Sequence, residues 1–238
     1  MQNISFFADL SPLLLIVAGA VFVHICFQLS VSTLTLLSSH TIGRRLPNHR
    51  LLSLSFWYIL GVAVMIALLQ AGFIVLERYV VEQSSVSALL VSLSLIPVIA
   101  LLVVLFYYRR GRGTQLWLPR PAAEFITGRA KKTRSSVEAF SLGTLTALAE
   151  LPFAIAPLAI TAYVFQAVNP EHWLGLSTMY AVAVVTPLIF VAFYLSSGHK
   201  ISSVQRWRES AKDYLKWTSA VTLLLLTIYI AVLQVGVA

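Results

Sequence analysis

Residues 139–166 read AFSLGTLTALAELPFAIAPLAITAYVFQ, and Glu150 is the single charged residue in the whole stretch. About 20 consecutive apolar residues suffice for a helix to cross the hydrocarbon core of a bilayer, so this block predicts a membrane span. Working outward, comparable blocks occupy 12–38, 53–76, 86–107, 173–196 and 215–236. The composition agrees: 58% of the residues are hydrophobic and 11% charged, where soluble domains carry roughly 25% charged residues. The expected fold is an all-α polytopic membrane protein with six transmembrane helices, its first partner the lipid bilayer. The first and fourth blocks exceed one straight crossing, which calls for tilt, a kink or an interfacial extension.

The charges between the blocks orient the chain. The first loop carries Arg44, Arg45 and Arg50; the third carries Arg109, Arg110, Arg112, Arg120, Arg129, Lys131, Lys132 and Arg134; the fifth carries Lys200, Arg206, Arg208, Lys212 and Lys216. Arg78 is the only basic residue outside these three loops. Cytoplasmic loops retain Lys and Arg, so loops one, three and five are expected inside and both termini outside. The formal net charge of +8 is thus mainly a topology signal. RAKKTRSS (129–136) reads as a solvated positive-inside loop rather than a nucleic-acid site, with contact to anionic lipid as a second use. Gly198 to Lys216 either extends the sixth helix or lies along the interface, where Trp207, Tyr214 and Trp217 suit the headgroup level. The N-terminal MQNISFFADLSP has no Lys or Arg, so the first block reads as a retained helix rather than a cleaved signal. Long apolar spans without targeting features fit a prokaryotic plasma (inner) membrane.

The long third loop divides the chain into 1–107, a basic cytoplasmic loop at 108–138, and 139–238. Three spans per half means that the second half enters with opposite polarity, as in inverted-repeat transporters, whose sites lie between the repeats near the midplane. SVSTLTLLSS (30–39) and SLGTLTALAE (141–150) share Ser, Thr, Leu, Thr and Leu in register.

Polar residues inside the spans are the candidate site. His24, Gln28, Ser32, Thr35 and Ser39 recur at spacings that place them on one face of the first helix. Such a face should turn toward protein or a water-filled path, because hydrocarbon offers no partners; interhelical hydrogen bonding is the structural alternative. In the fourth span Gly143, Thr146 and Glu150 share a face. A carboxylate at mid-membrane costs roughly 2.5–3.5 kcal/mol and marks function by default, so Glu150 should be protonated or face a polar cavity. Pro152 and Pro157 each remove a backbone donor. A helix broken there, with Gly143 beside it, would expose backbone groups next to the carboxyl, as in discontinuous transporter helices.

Other chemistries are poorly supplied. Cys26 is the single cysteine, which excludes an internal disulfide or dithiol relay. The five histidines are scattered, and His24 and Cys26 point about 200° apart on a straight helix, so no metal site is expected. No P-loop or dinucleotide fingerprint is present, no lysine lies inside the sixth span beyond Lys216 at its edge, and no nucleophile–base pair is visible. Neither a cofactor nor an enzymatic activity is expected.

The pattern resembles the lysine-exporter (LysE) superfamily, which includes small amino-acid exporters and the DsbD/CcdA-type thiol carriers. Phe140, Gly143, Glu150 and Pro152 stand where that family has a Phe-x-x-Gly start and a polar-then-proline break. QLSVSTLTLLSSHTIGRR is similar to the Gly-Arg-containing end of the family's first helix. The resemblance implies six spans as three plus three inverted repeats, with key motifs in spans one and four. The family's Pro-Gly-Pro element is absent, and Glu-Leu-Pro-Phe stands where exporters have Asn-Pro-Lys. The thiol carriers need a cysteine in each repeat, and Cys26 alone does not supply that. The resulting expectation is a secondary permease or exporter of a small solute, proton- or cation-coupled through Glu150. Gln28, Ser32, Thr35 and Thr146 would line the path and His24 would relay protons. The alternative is a non-transporting scaffold or accessory subunit that holds a partner or anionic lipid by its basic loops.

Overall fold

A computed structural model describes residues 2–31, 48–83, 120–166 and 168–237. The described chain is entirely helical: α1 (Gln2–Val31), α2 (Asn48–Gln83), α3 (Arg120–Lys132), α4 (Ser136–Phe165), a 3₁₀ turn (Pro170–His172), α5 (Trp173–Ser196) and α6 (Ile201–Val237). Four segments are long and apolar enough to cross a membrane: Pro12–Leu29, His49–Tyr79, Ser136–Phe165 and Pro170–Ser196. They coincide with the first, second, fourth and fifth expected spans. The third, 86–107, lies outside the described residues. The sixth, 215–236, falls in the second half of α6, and Gly198 to Lys216 is resolved in favour of extension: Ile201–Val237 is one unbroken helix. At 1.5 Å per residue α6 is about 55 Å long, well beyond one hydrocarbon core. The basic loop is itself partly ordered as α3, whose last turn carries Arg129, Lys131 and Lys132.

Large apolar side chains lie on the outer surface as well as in the core, and several polar ones are buried. Leu14, Leu15, Phe56, Leu68, Met179, Phe190 and Leu225 are all exposed, while His24, Gln28, Gln70, Thr161, Ser177 and Glu150 are buried. Apolar groups turned outward suit lipid, and polar groups turned inward find partners that hydrocarbon lacks. This is an all-α membrane protein.

The helix α4 is central: 67% of its span is buried, against 33–39% for the other three. Ser135 starts it. Its extended backbone lets the side chain accept from the Glu138 N–H at 3.3 Å, while Glu138 accepts from the N–H groups of Ser135 and Arg134 at 3.1 and 2.6 Å. That reciprocal capping box satisfies donors a helix start otherwise leaves open. At the far end the Trp173 indole donates to the carbonyls of Phe165 and Val168, both at 3.0 Å, and pins the turn into α5. Gly198 ends α5 with φ +86°, a left-handed conformation that glycine adopts without penalty.

Contacts fix the helix directions. Tyr58 meets Gly143, Gln70 meets Leu158 and Thr161, and Glu77 meets Gln166, so α2 and α4 run parallel. Arg78 lies over Trp173, 5.5 Å from the ring centroid, so α5 returns antiparallel to α2. His24 meets Tyr180 while Phe27 meets Phe153, which directs α1 alongside α5 and against α4. The α2–α4 approach is close because two glycines permit it. A Cβ on Gly143 would stand 2.1 Å from the Tyr58 carbonyl oxygen, and one on Gly61 would stand 2.2 Å from that of Phe140.

Candidate functional site

Glu150 is the fifteenth residue of the thirty in α4, at the middle of the most buried helix, and is only 3% exposed. The other members of its stripe have packing roles. Gly143 admits the backbone of α2, and the Thr146 hydroxyl donates to the Leu142 carbonyl at 2.8 Å.

The expected helix break is absent. Ser136–Phe165 runs continuously through Pro152 and Pro157, and Gly143 is a close-packing position rather than a hinge. Each proline deletes only one backbone donor, and neighbouring helices hold the helix straight on both sides. The Thr161 hydroxyl lies 2.8 Å from the Pro157 carbonyl oxygen and 3.0 Å from Gln70 Oε1, which ties the stretch after Pro157 to α2. The carboxyl therefore stands beside an intact helix.

A second polar group lies at another level. His24 Nδ1 is 2.8 Å from the Tyr180 hydroxyl, with the two rings tilted by 50°. Thr161 is 3.0 Å from Gln70 Oε1, and Gln70 Nε2 donates to the Leu158 carbonyl at 3.3 Å. Thus α1 and α5 share one buried polar pair, His24 and Tyr180, and α4 and α2 share another, Thr161 and Gln70. Gln28, one turn along α1, is 2% exposed and both of its amide atoms lack partners; the buried Ser177 hydroxyl, one turn along α5, lacks one as well. Native proteins leave few buried polar atoms unpaired, and each such atom asks for water, an ion or a ligand.

The sequence-predicted residues are thus partly gathered. His24 and Gln28 share the buried face of α1, as their spacing implied. Ser32 and Thr35 lie outside the described residues. His24 and Glu150 occupy different levels: Phe27, three residues after His24, meets Phe153, three residues after Glu150 on the antiparallel α4, an offset of about 9 Å along the bundle. The spacing analysis missed Gln70, Thr161, Ser177 and Tyr180. The signal was present, since Gln70 stands alone in the apolar run AVMIALLQAGFIVL (63–76). Among the described residues, no three His, Cys, Asp or Glu side chains are placed to hold a metal ion.

Comparison of the chain with protein-family models, with curated proteins and with solved structures finds no match.

Proposed function

We propose that this protein is a secondary transporter of a small solute, of the lysine-exporter type, with Glu150 as its proton- or cation-coupling group. The proposed architecture is six spans in two inverted three-helix halves, both termini outside, in a prokaryotic plasma membrane. The observation that carries the reading is a lone carboxyl, buried at the midpoint of the most buried helix. Insertion of such a group costs stability that a packing role does not return. A group that takes up and releases a cation during turnover would account for it. The cross-half bonds His24–Tyr180 and Gln70–Thr161 support this, because they join the two proposed repeats where alternating access would have to open and close. Phe140 and Gly143, the positions of the family resemblance, lie in the α2–α4 contact. The test is uptake of radiolabelled small polar solutes into proteoliposomes, with and without an imposed proton or sodium gradient. Gradient-driven uptake that Glu150→Gln abolishes is expected; undiminished uptake by that variant removes the coupling role.

The scaffold reading draws on one feature. A cavity of about 210 Å³ between α3 and the start of α4 is lined by Arg129, Lys132, Thr133, Glu138 and Ser141, among others. A cytosolic partner lost on neutralising the basic residues of 109–134, with tolerance of Glu150→Ala, would favour it over transport.

A further inference from the structure

Ser177 and Gln28 bracket the His24–Tyr180 hydrogen bond. Because α1 and α5 run in the same direction, Ser177 lies three residues before Tyr180 toward one face of the membrane, roughly 4.5 Å. Gln28 lies four residues beyond His24 toward the other face, roughly 6 Å. Both are essentially inaccessible from outside the bundle, and neither has a hydrogen-bond partner among the described residues. The unpaired groups therefore form two half-sites on either side of a hydrogen-bonded pair, along one polar line of about 10 Å.

We propose that this line is the solute-binding level, that it takes a small uncharged solute bearing both hydrogen-bond donors and acceptors, and that the His24–Tyr180 bond is the gate between its two half-sites. The class follows from the lining. The Gln28 amide offers two donors and an acceptor oxygen, and the Ser177 hydroxyl offers one donor and two lone pairs. A ligand with only donors or only acceptors would leave half of that capacity unmet. A charged ligand at the Ser177 half-site would be buried without a counter-charge among the described residues, because Ser177, Tyr180 and His24 include no carboxylate, lysine or arginine. Glu150, three residues before the Phe153 that packs on Phe27, lies toward the Gln28 end of the line. Passage from one half-site to the other replaces the His24–Tyr180 bond with bonds to the solute. The assignment rests on the transport reading and deepens it by naming the solute class and the gate.

The test uses thiol labelling of the full chain in proteoliposomes. Cys26, the single native thiol and a buried one, is first replaced by Ala. Ser177→Cys, Gln28→Cys and, as an apolar buried control, Val184→Cys are then exposed to a small hydrophilic thiosulfonate. Acetamide and glycerol serve as neutral competitors, acetate and guanidinium as charged ones. A buried thiol is inert and a solvated one reactive, so labelling at 177 and 28 at least about tenfold faster than at 184 is expected. Acetamide or glycerol should slow it and the charged competitors should not. Ser177→Cys is close to isosteric, so it stands as the decisive variant if Gln28→Cys does not fold. Labelling at 177 no faster than at 184 overturns the site. Fast labelling slowed only by acetate or guanidinium, or by no competitor, overturns the assigned solute class. No ion gradient is needed, so loss of coupling at Glu150 and failure of this site are told apart.

Discussion

Replacing Gly143 with alanine should force α2 and α4 apart. The added Cβ would stand 2.1 Å from the Tyr58 carbonyl oxygen, 3.0 Å from its carbonyl carbon and 3.0 Å from the Val62 nitrogen. All of these atoms are backbone, so no side-chain rotation relieves the clash. Ordinary contact begins near 3.4 Å, so the helices must separate locally by about 1.3 Å, enough to forfeit a large part of the dispersion attraction between atoms in contact. Overpacking of this kind costs roughly 1–3 kcal/mol. Gly61→Ala presses on the Phe140 carbonyl at 2.2 Å and should cost a similar amount. Because both substitutions open the same interface, the double variant should cost less than the two singles together, by about 0.5 kcal/mol or more. Reversible unfolding in mixed micelles titrated with SDS measures all three. A Gly143→Ala protein as stable as the parent would refute the close α2–α4 approach, and full additivity would refute a shared separation.

Thr161→Val removes the hydroxyl that meets Gln70 Oε1, and should destabilise by roughly 1–2 kcal/mol in the same assay; Gln70→Leu added to it should recover part of that loss, because no buried amide is then left unpaired. Ser135→Ala removes the N-cap of α4 and should cost about 1 kcal/mol, with Ser135→Asp close to the parent; equal stability of Ser135→Ala and parent would mean that the capping box contributes nothing measurable.

The spans were legible in the sequence because hydropathy is a local property. The apolar block 139–166 lies on α4 within a few residues, and 53–76 falls inside α2. The burial of His24 and Gln28 on one face was legible from helical spacing alone, and Gly143 was legible as a close-approach position. What a proline does in context was not. Pro152 and Pro157 read as a break because each removes a hydrogen bond, yet whether the helix yields depends on what packs against it, and that is tertiary. The same limit hid the Gln70–Thr161 and Tyr180–His24 pairs. Each residue is an isolated polar group in its own apolar run, and their meeting depends on the register of four helices. The capping box of Ser135 and Glu138, which hydropathy passes over, marks where α4 begins more sharply than hydropathy does.

The account turns on Glu150, and the most direct measurement is gradient-driven solute uptake by wild-type and Glu150→Gln protein, purified and reconstituted at equal density. The account predicts uptake by the wild type that follows the imposed proton or sodium gradient, and loss of that gradient dependence in Glu150→Gln while the variant still unfolds with the parent's stability or better. Gradient-dependent uptake that survives Glu150→Gln at the wild-type rate would contradict it.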